Sequence, residues 1–206
     1  MIAILDYATS RAADFKKAFD ALGAPASIVN SIDRLEAAHQ IVLPPCESFP
    51  QAIRSIRDHG YLPSLFRAVD DGRSVLAVGQ GAHLLFDVSY EEGQHTGLGL
   101  FPGKVTGFQF TGQPIASETD RVHRGWAGIQ WDGNHRLLEG LGPESRFYFD
   151  HAFFAEPLDE SLIGAVCHHG VQFPAMVSQG SLQAVEFLPE KSGDAGLRVL
   201  SNFARA

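Results

Sequence analysis

The sequence predicts an α/β fold, a central and mostly parallel sheet flanked by helices, with additional antiparallel strands in the C-terminal half. Three observations carry this. Short apolar runs alternate with amphipathic stretches from Met1 to about Phe86, the pattern of strands joined in parallel through helices. The fourth run, Val75 to Val78, meets Gly79-Gln80-Gly81 and then a further apolar stretch, which reads as strand, tight turn and helix. From about residue 97 the texture changes to strand-like runs punctuated by Gly and Pro, the mark of mixed or antiparallel sheet.

Taken in order, Ile2 to Leu5 is the first strand. Phe15, Ala18, Phe19 and Leu22 then recur on one helical face and stop at Gly23. Ala26 to Val29 is the second strand and Ile41 to Leu43 the third, ended by Pro44-Pro45. Phe49 to Ala68 is helical chain broken by Gly60 and Pro63. Val75 to Val78 is the fourth strand, and Ala82, Leu84, Leu85 and Phe86 begin the helix that follows. Ligands of such a sheet sit beyond the C-terminal ends of its strands, where Gly79 and Pro44 to Glu47 both fall. The strand-like runs are KVTGFQF, WAGIQW, RFYFDHAFFAE, LIGAVCHH and, around a turn at Gln179-Gly180, AMVSQGSLQAVEF. Ser192 is placed to cap a last helix that carries Leu197, Leu200 and Phe203 inward. Residues 1–206 read as one domain.

A formal net charge of -8 removes the usual ground for binding nucleic acid or anionic lipid, which rests on clustered Lys and Arg. MIAILDYATS has no basic leader, and no apolar run approaches the roughly 20 residues that cross a bilayer, so the expected location is the cytoplasm. Cys46 and Cys167 lie far apart without a CxxC partner and read as free thiols. His168 and His169 are adjacent, so on a strand they face opposite sides and cannot share a metal. Neither a metal nor a cofactor is expected.

A strand-to-helix elbow is how a nucleophile is usually displayed, yet the tip here is Gly79, which has no side chain. One reading is a plain turn, since glycine occupies uncomfortable φ values without a Cβ penalty. The other is a cradle of amides for phosphate at a helix start, although neither Lys-Thr nor a third glycine follows Gly81.

Five segments stand in a telling order: MIAILDY at the start, LGLFPGKVTGF at 98 to 108, HRGW at 123 to 126, RFYFDHAFF at 146 to 154 and PEKSGDAGLRVLSNF at 189 to 203. From Met1 to about Phe203 the chain thereby resembles the class I (triad) glutamine amidotransferases, and in detail the HisH family, the glutaminase subunits of imidazole glycerol phosphate synthase. The resemblance implies the class I amidotransferase-like, flavodoxin-like fold. It also implies a partner, a HisF-like (β/α)8 cyclase barrel that receives ammonia from glutamine in a heterodimer.

In that family a Cys at the elbow attacks the side-chain amide of glutamine, a His in an F-H-P-E segment activates it, and the Glu orients the His. Laying GQGAHLL on C-L-G-M-Q-L-L puts Gly79 at the nucleophile position; laying FLPEKS on F-H-P-E-K-S puts Leu188 at the base position. Glu190 is the remaining triad carboxylate, expected as a surface or capping group, and Leu188 is expected to pack on the elbow helix. The family's P-G-V-G stands here as Pro44-Pro45-Cys46-Glu47, and Pro45 should hinder the peptide flip that supplies an oxyanion donor. Its D-Y-G-x-G-N turn stands as Asp6-Tyr7-Ala8-Thr9-Ser10-Arg11. The substrate-pocket positions are then Pro45, Cys46, Glu47, Gln80, Gly81 and His83, with His83 in place of a substrate-holding Gln.

The expectation is a HisH-like pseudoenzyme, unable to hydrolyse glutamine and acting as a structural or regulatory partner of a HisF-like barrel. LGLFPGKVTGF and RFYFDHAFF would dock it, with Lys104, Arg146 and His151 as interface candidates and His123 a structural or interface group. Two alternatives stand beside it. One is an active amide hydrolase with Cys46 as replacement nucleophile near His83 or His169, against which the adjacent Glu47 weighs by opposing a thiolate. The other is a stand-alone binder of a small ligand through the Gly-Gln-Gly amides and His83.

Overall fold

The computed structural model describes residues 1–109 and 121–206; Phe110, the end of KVTGFQF, lies outside them. The N-terminal half alternates as expected: β1 (Ile2–Leu5), α1 (Ala12–Ala21), β2 (Ala26–Val29), α2 (Ile32–Glu36), β3 (Gln40–Leu43), α3 (Phe49–Asp58), α4 (Leu62–Asp70), β4 (Ser74–Val78) and α5 (Gln80–His83). The strand-rich half follows with β5 (Phe86–Ser89), β6 (His95–Thr96), β7 (Phe101–Gly107), β8 (His123–Gly128), β9 (Arg146–His151), β10 (Phe153–Pro157), β11 (Ile163–His169), β12 (Val171–Gln179) and β13 (Leu182–Val185). Helix α6 (Gly193–Ala204) comes last.

The main sheet has the order β11-β12-β13-β4-β3-β1-β2. From β13 to β2 every neighbouring pair is parallel, while β11, β12 and β13 pair antiparallel. A second sheet runs β10-β7-β5-β6, and β8 with β9 forms a separate ribbon. Residues on the central strands alternate between two cores. Ala3, Leu5, Ile41, Leu43 and Val75 face Phe49, Ile53, Ile56 and Leu65 of α3 and α4. Ile2, Ile4, Val42, Leu76 and Val78 face Phe15 and Phe19 of α1 and Leu200 and Phe203 of α6. The elbow between β4 and α5 therefore sits at the centre of a sheet covered on both sides.

Several elements differ from expectation for physical reasons. The helix after the elbow is a single turn ending at His83, and Phe86 opens a strand. The carbonyls of Leu84 and Leu85, which a longer helix would use, accept the amides of Leu98, Leu100 and Phe101 from the LGLF segment. Pro63 does not break a helix but lies in the first turn of α4, where its missing N–H costs nothing. Ile32–Glu36 forms a short helix that the periodicity does not announce. RFYFDHAFFAE divides at Ala152 between the ribbon and the second sheet, and the β12–β13 turn is Gly180-Ser181, one residue later than expected. Ser192 precedes α6 without capping it: its Oγ donates to the Leu188 carbonyl (2.7 Å) and accepts from the Tyr148 amide (2.9 Å).

Candidate active site at the strand-to-helix elbow

β4 is buried along its length between β13 and β3, and its last amide bonds place Gly79 rigidly at the tip. The Gly79 N–H donates to the Val185 carbonyl (2.8 Å) and its own carbonyl accepts from Ala82 (2.8 Å), so the chain reverses within one turn. Gly79 has φ 52 and ψ -128, a conformation that L side chains rarely adopt. A Cβ built there would point between Leu188 Cδ2 at 3.1 Å and Pro45 Cβ at 3.6 Å. Gly79, Leu188 and Pro45, three positions that the sequence resemblance singled out, are thus brought together as a glycine, a leucine and a proline. Gly81 is required for a different reason. A Cβ there would lie 2.3 Å from the Pro44 carbonyl oxygen, so α5 can only press onto the end of β3 with glycine at that point.

The Pro44 to Glu47 segment is tied down by the turn that follows β1. The Tyr7 hydroxyl donates to the Pro44 carbonyl, the Arg11 amide donates to the Pro45 carbonyl (2.9 Å), and the Glu47 amide donates to Thr9 Oγ1 (3.3 Å). Pro45 itself has no N–H to offer. Cys46 is 2% exposed and bridges to Ser10. Burial and then the charge of Glu91, not of the adjacent Glu47, push its thiol up to about 12, the wrong direction for a nucleophile. Leu188 is buried with Cδ2 turned toward Gly79 at the start of the elbow. Glu190, expected as a surface or capping group, is half-buried with both carboxylate oxygens sealed and without a hydrogen-bond partner, and burial raises it to about 7. Gln80 reaches out to the Asp150 carbonyl (3.4 Å), and Glu47 is exposed.

His83 does not face an open pocket; it is 1% exposed and belongs to a buried chain of ionisable groups. Its Nε2 donates to Glu186 at 2.9 and 3.1 Å, and its Nδ1 lies 3.6 Å from Glu91. Burial opposes the imidazolium, but Glu186 and then Glu91 outweigh it and hold His83 up at about 10. Glu186 also lies 3.4 Å from Nδ1 of His151, whose main bond is to the Phe153 carbonyl (2.8 Å). His123 Nδ1 meets His151 Nε2 at 3.2 Å, and its ring stacks on Phe149 and His169. Burial lowers both of these histidines, His123 to about 3, so they are neutral links. Among the described residues no three His, Cys, Asp or Glu side chains are arranged to hold a metal ion.

Sequence reasoning missed Glu186 and Glu91. The available signal was a lone carboxylate inside the apolar run AVEFL, just past the end of β13, which has to find a buried partner. Of the interface candidates, Lys104 is exposed and paired with Glu156 (3.0 Å), and Arg146 is exposed and donates to the Trp126 carbonyl (2.7 Å). His151 is a correction: its ring is buried in the network just described and cannot itself present to a partner. Trp126, 50% exposed on the β8–β9 ribbon against Tyr148, is the large apolar group that this face does present.

No family model matches the chain. Among curated proteins it is similar to the imidazole glycerol phosphate synthase subunit HisH of Desulfitobacterium hafniense, 34% identical over 205 residues, covering 100% of this chain and 94% of the relative. The HisH subunit of Chlorobium luteolum is 35% identical over 206 residues, covering 99% of each chain. Among solved structures a glutamine amidotransferase superposes with a TM-score of 0.74 at 21% identity, covering 100% of this chain and 99% of that one. PurLQS from Thermotoga maritima superposes with a TM-score of 0.75 at 16% identity, covering 99% and 97%. The structures share the fold, and the end-to-end identity to curated subunits goes further: this chain belongs to the HisH family of imidazole glycerol phosphate synthase subunits, with a class I glutamine amidotransferase fold.

Proposed function

We propose that this HisH-family chain does not hydrolyse glutamine and serves in the cytoplasm as a structural or regulatory partner of a HisF-like (β/α)8 cyclase barrel. One observation carries the proposal: the Gly79 tip lies against Leu188, a glycine beside a hydrocarbon where the family's chemistry needs a thiol beside an imidazole. The surroundings agree. Pro45 offers no amide and its carbonyl is held by Arg11, so an oxyanion donor has no ready source in that peptide. His83, at the position where the resemblance puts a substrate-holding Gln, is instead committed to a buried ion pair with Glu186.

The Cys46 alternative has little to draw on, because a thiol held near 12 supplies almost no thiolate and His83 is committed to Glu186. The small-ligand alternative would rely on elbow amides, of which that of Gly79 is already spent on Val185. Support for a partner role comes from the ribbon. An exposed Trp126 packed edge-on to Tyr148, with Arg146 beside it and Lys191 5.9 Å from the Tyr148 ring, has the residue types that anchor interfaces.

The test is sedimentation velocity of the chain mixed with a HisF-like barrel. A stoichiometric complex, weakened by Trp126→Ala, is expected; two species sedimenting independently at micromolar concentration would overturn the partner role.

A further inference from the structure

Several surface cations of this acidic chain face carboxylates: Lys16 pairs with Asp20, Arg67 with Glu36, Lys104 with Glu156 and Arg124 with Asp150. Others do not: Arg57 and Arg146 donate to backbone carbonyls instead, and three further arginines lie together. Arg136, Arg198 and Arg205 line a single cavity of about 380 Å³, completed by Glu139, Gly140 and Asn202. Arg136 comes from the turn Arg136–Leu138 and the other two from α6 and the residue after it. Among the described residues no carboxylate lies within 4.0 Å of any of the three guanidiniums.

The cluster is held in place by neutral groups. Arg205 Nη2 donates to Oδ1 of Asn202 (2.7 Å), and Asn202 is itself buried with its Nδ2 donating to the Leu137 and Glu139 carbonyls (3.0 and 2.8 Å). Those two carbonyls fix which way the amide points, so Arg205 is oriented without losing its charge. Arg136 Nη2 donates to the Arg205 carbonyl (2.8 Å), covering an acceptor at the negative end of α6 that would otherwise repel an anion. Arg198 lies alongside Gly140, where a Cβ would come to 3.9 Å of its side chain.

Three exposed guanidiniums share this cavity with one carboxylate, Glu139, so positive charge is in excess and a multiply charged anion among them offsets the mutual repulsion. The cavity is larger than bare phosphate needs and falls in the roughly 300 to 1,000 Å³ range of small-ligand sites. Glu139 adds an acceptor for hydroxyl groups on the same wall. We propose that this cavity, separate from the elbow, binds a sugar phosphate, with the phosphomonoester dianion among Arg136, Arg198 and Arg205 and sugar hydroxyls donating to Glu139.

The test is a two-dimensional amide NMR titration of the whole chain at constant ionic strength, with glucose 6-phosphate, inorganic phosphate, glucose and sulfate as separate probes. Glucose 6-phosphate should shift the amides of Arg136 to Gly140 and Arg198 to Arg205 saturably. Inorganic phosphate should act on the same amides with lower affinity, and glucose should leave them unmoved. Arg198→Ala, an exposed change, should weaken glucose 6-phosphate by roughly tenfold or more, the loss of a charge-assisted contact. Glu139→Gln, which removes a negative charge from the wall, should tighten inorganic phosphate and narrow its gap to glucose 6-phosphate. Equal shifts with sulfate that ignore Arg198→Ala would mean an adventitious ion only and overturn the proposal. So would phosphate binding as tightly as its sugar ester, or no saturable shift up to a probe concentration on the order of 10 mM.

Discussion

The Nε2 of His83 lies 2.9 Å from the nearer carboxylate oxygen of Glu186, and both side chains are sealed from solvent beside the elbow. Removing one member of a buried pair leaves the other charge uncompensated. His83→Gln or Glu186→Gln alone should therefore cost about 3 to 5 kcal/mol, while replacing both should be close to neutral. Urea denaturation of the singles and the double measures this. Additive losses would mean that the two charges do not depend on each other.

The same pair gives stability a defined pH dependence. His83 is raised from 6.5 to about 10, so its contribution is complete below the unfolded value and is lost as pH rises through the folded one. Glu190 acts in a lower window. Its carboxyl is raised from 4.5 to about 7, so the folded state holds that proton more tightly and stability falls as pH climbs between those values. Glu190→Gln should raise stability near pH 8 and change little near pH 4. Thermal melts of both proteins at the two pH values check the Glu190 sign, and wild-type melts taken from pH 7 up to 10 check that of His83; equal effects of Glu190→Gln at pH 4 and 8 would show that Glu190 does not titrate in that window.

Two glycines of the elbow should respond very differently to alanine. At Gly79 the added Cβ meets the flexible end of Leu188 at 3.1 Å with φ at 52, and a loss of roughly 1 kcal/mol is expected. At Gly81 it meets backbone carbonyl oxygens at 2.3 and 2.6 Å, which cannot move without displacing β3. Gly81→Ala should give little or no folded protein. Similar melting temperatures for the two variants would contradict the close approach of α5 to β3.

Rebuilding the triad should not by itself create a glutaminase. Gly79→Cys with Leu188→His supplies thiol and imidazole beside Glu190, but Pro45 still withholds an oxyanion donor, a defect of about 10² to 10³ in turnover. His83→Gln alone would strand Glu186 as a buried charge, so the substrate side has to be changed as a pair, His83→Gln with Glu186→Gln. Appreciable glutamate release is expected only when those changes join Pro45→Gly, Cys46→Val and Glu47→Gly. Full family-like turnover from the first two changes alone would show that the loop and the ion pair are not obstacles.

The fold was legible because the signals were periodic and local: alternating runs for β1 to β4, Gly23 ending a helix, and a glycine turn at the elbow. What escaped the sequence depends on partners far away in the chain. The helix after Gly79 stops at His83 because residues 98–101 claim its carbonyls, a tertiary competition that no local propensity reports. His83 read as a pocket residue because its neighbours in sequence form the elbow, whereas Glu186, 103 positions on, decides its state. Glu190 read as a surface or capping carboxylate because charge predicts exposure, yet the fold turns its carboxylate oxygens inward, where they are sealed and without a hydrogen-bond partner.

Glutamine hydrolysis by the unaltered chain, followed as glutamate and ammonia release with and without a bound HisF-like barrel, tests the central claim most directly. With Gly79 against Leu188, no release above the uncatalysed background is expected in either condition, even where the complex forms. Robust turnover would contradict the loss of glutaminase chemistry, and its abolition by Cys46→Ser would assign that turnover to the thiol of the Pro45-Cys46 segment.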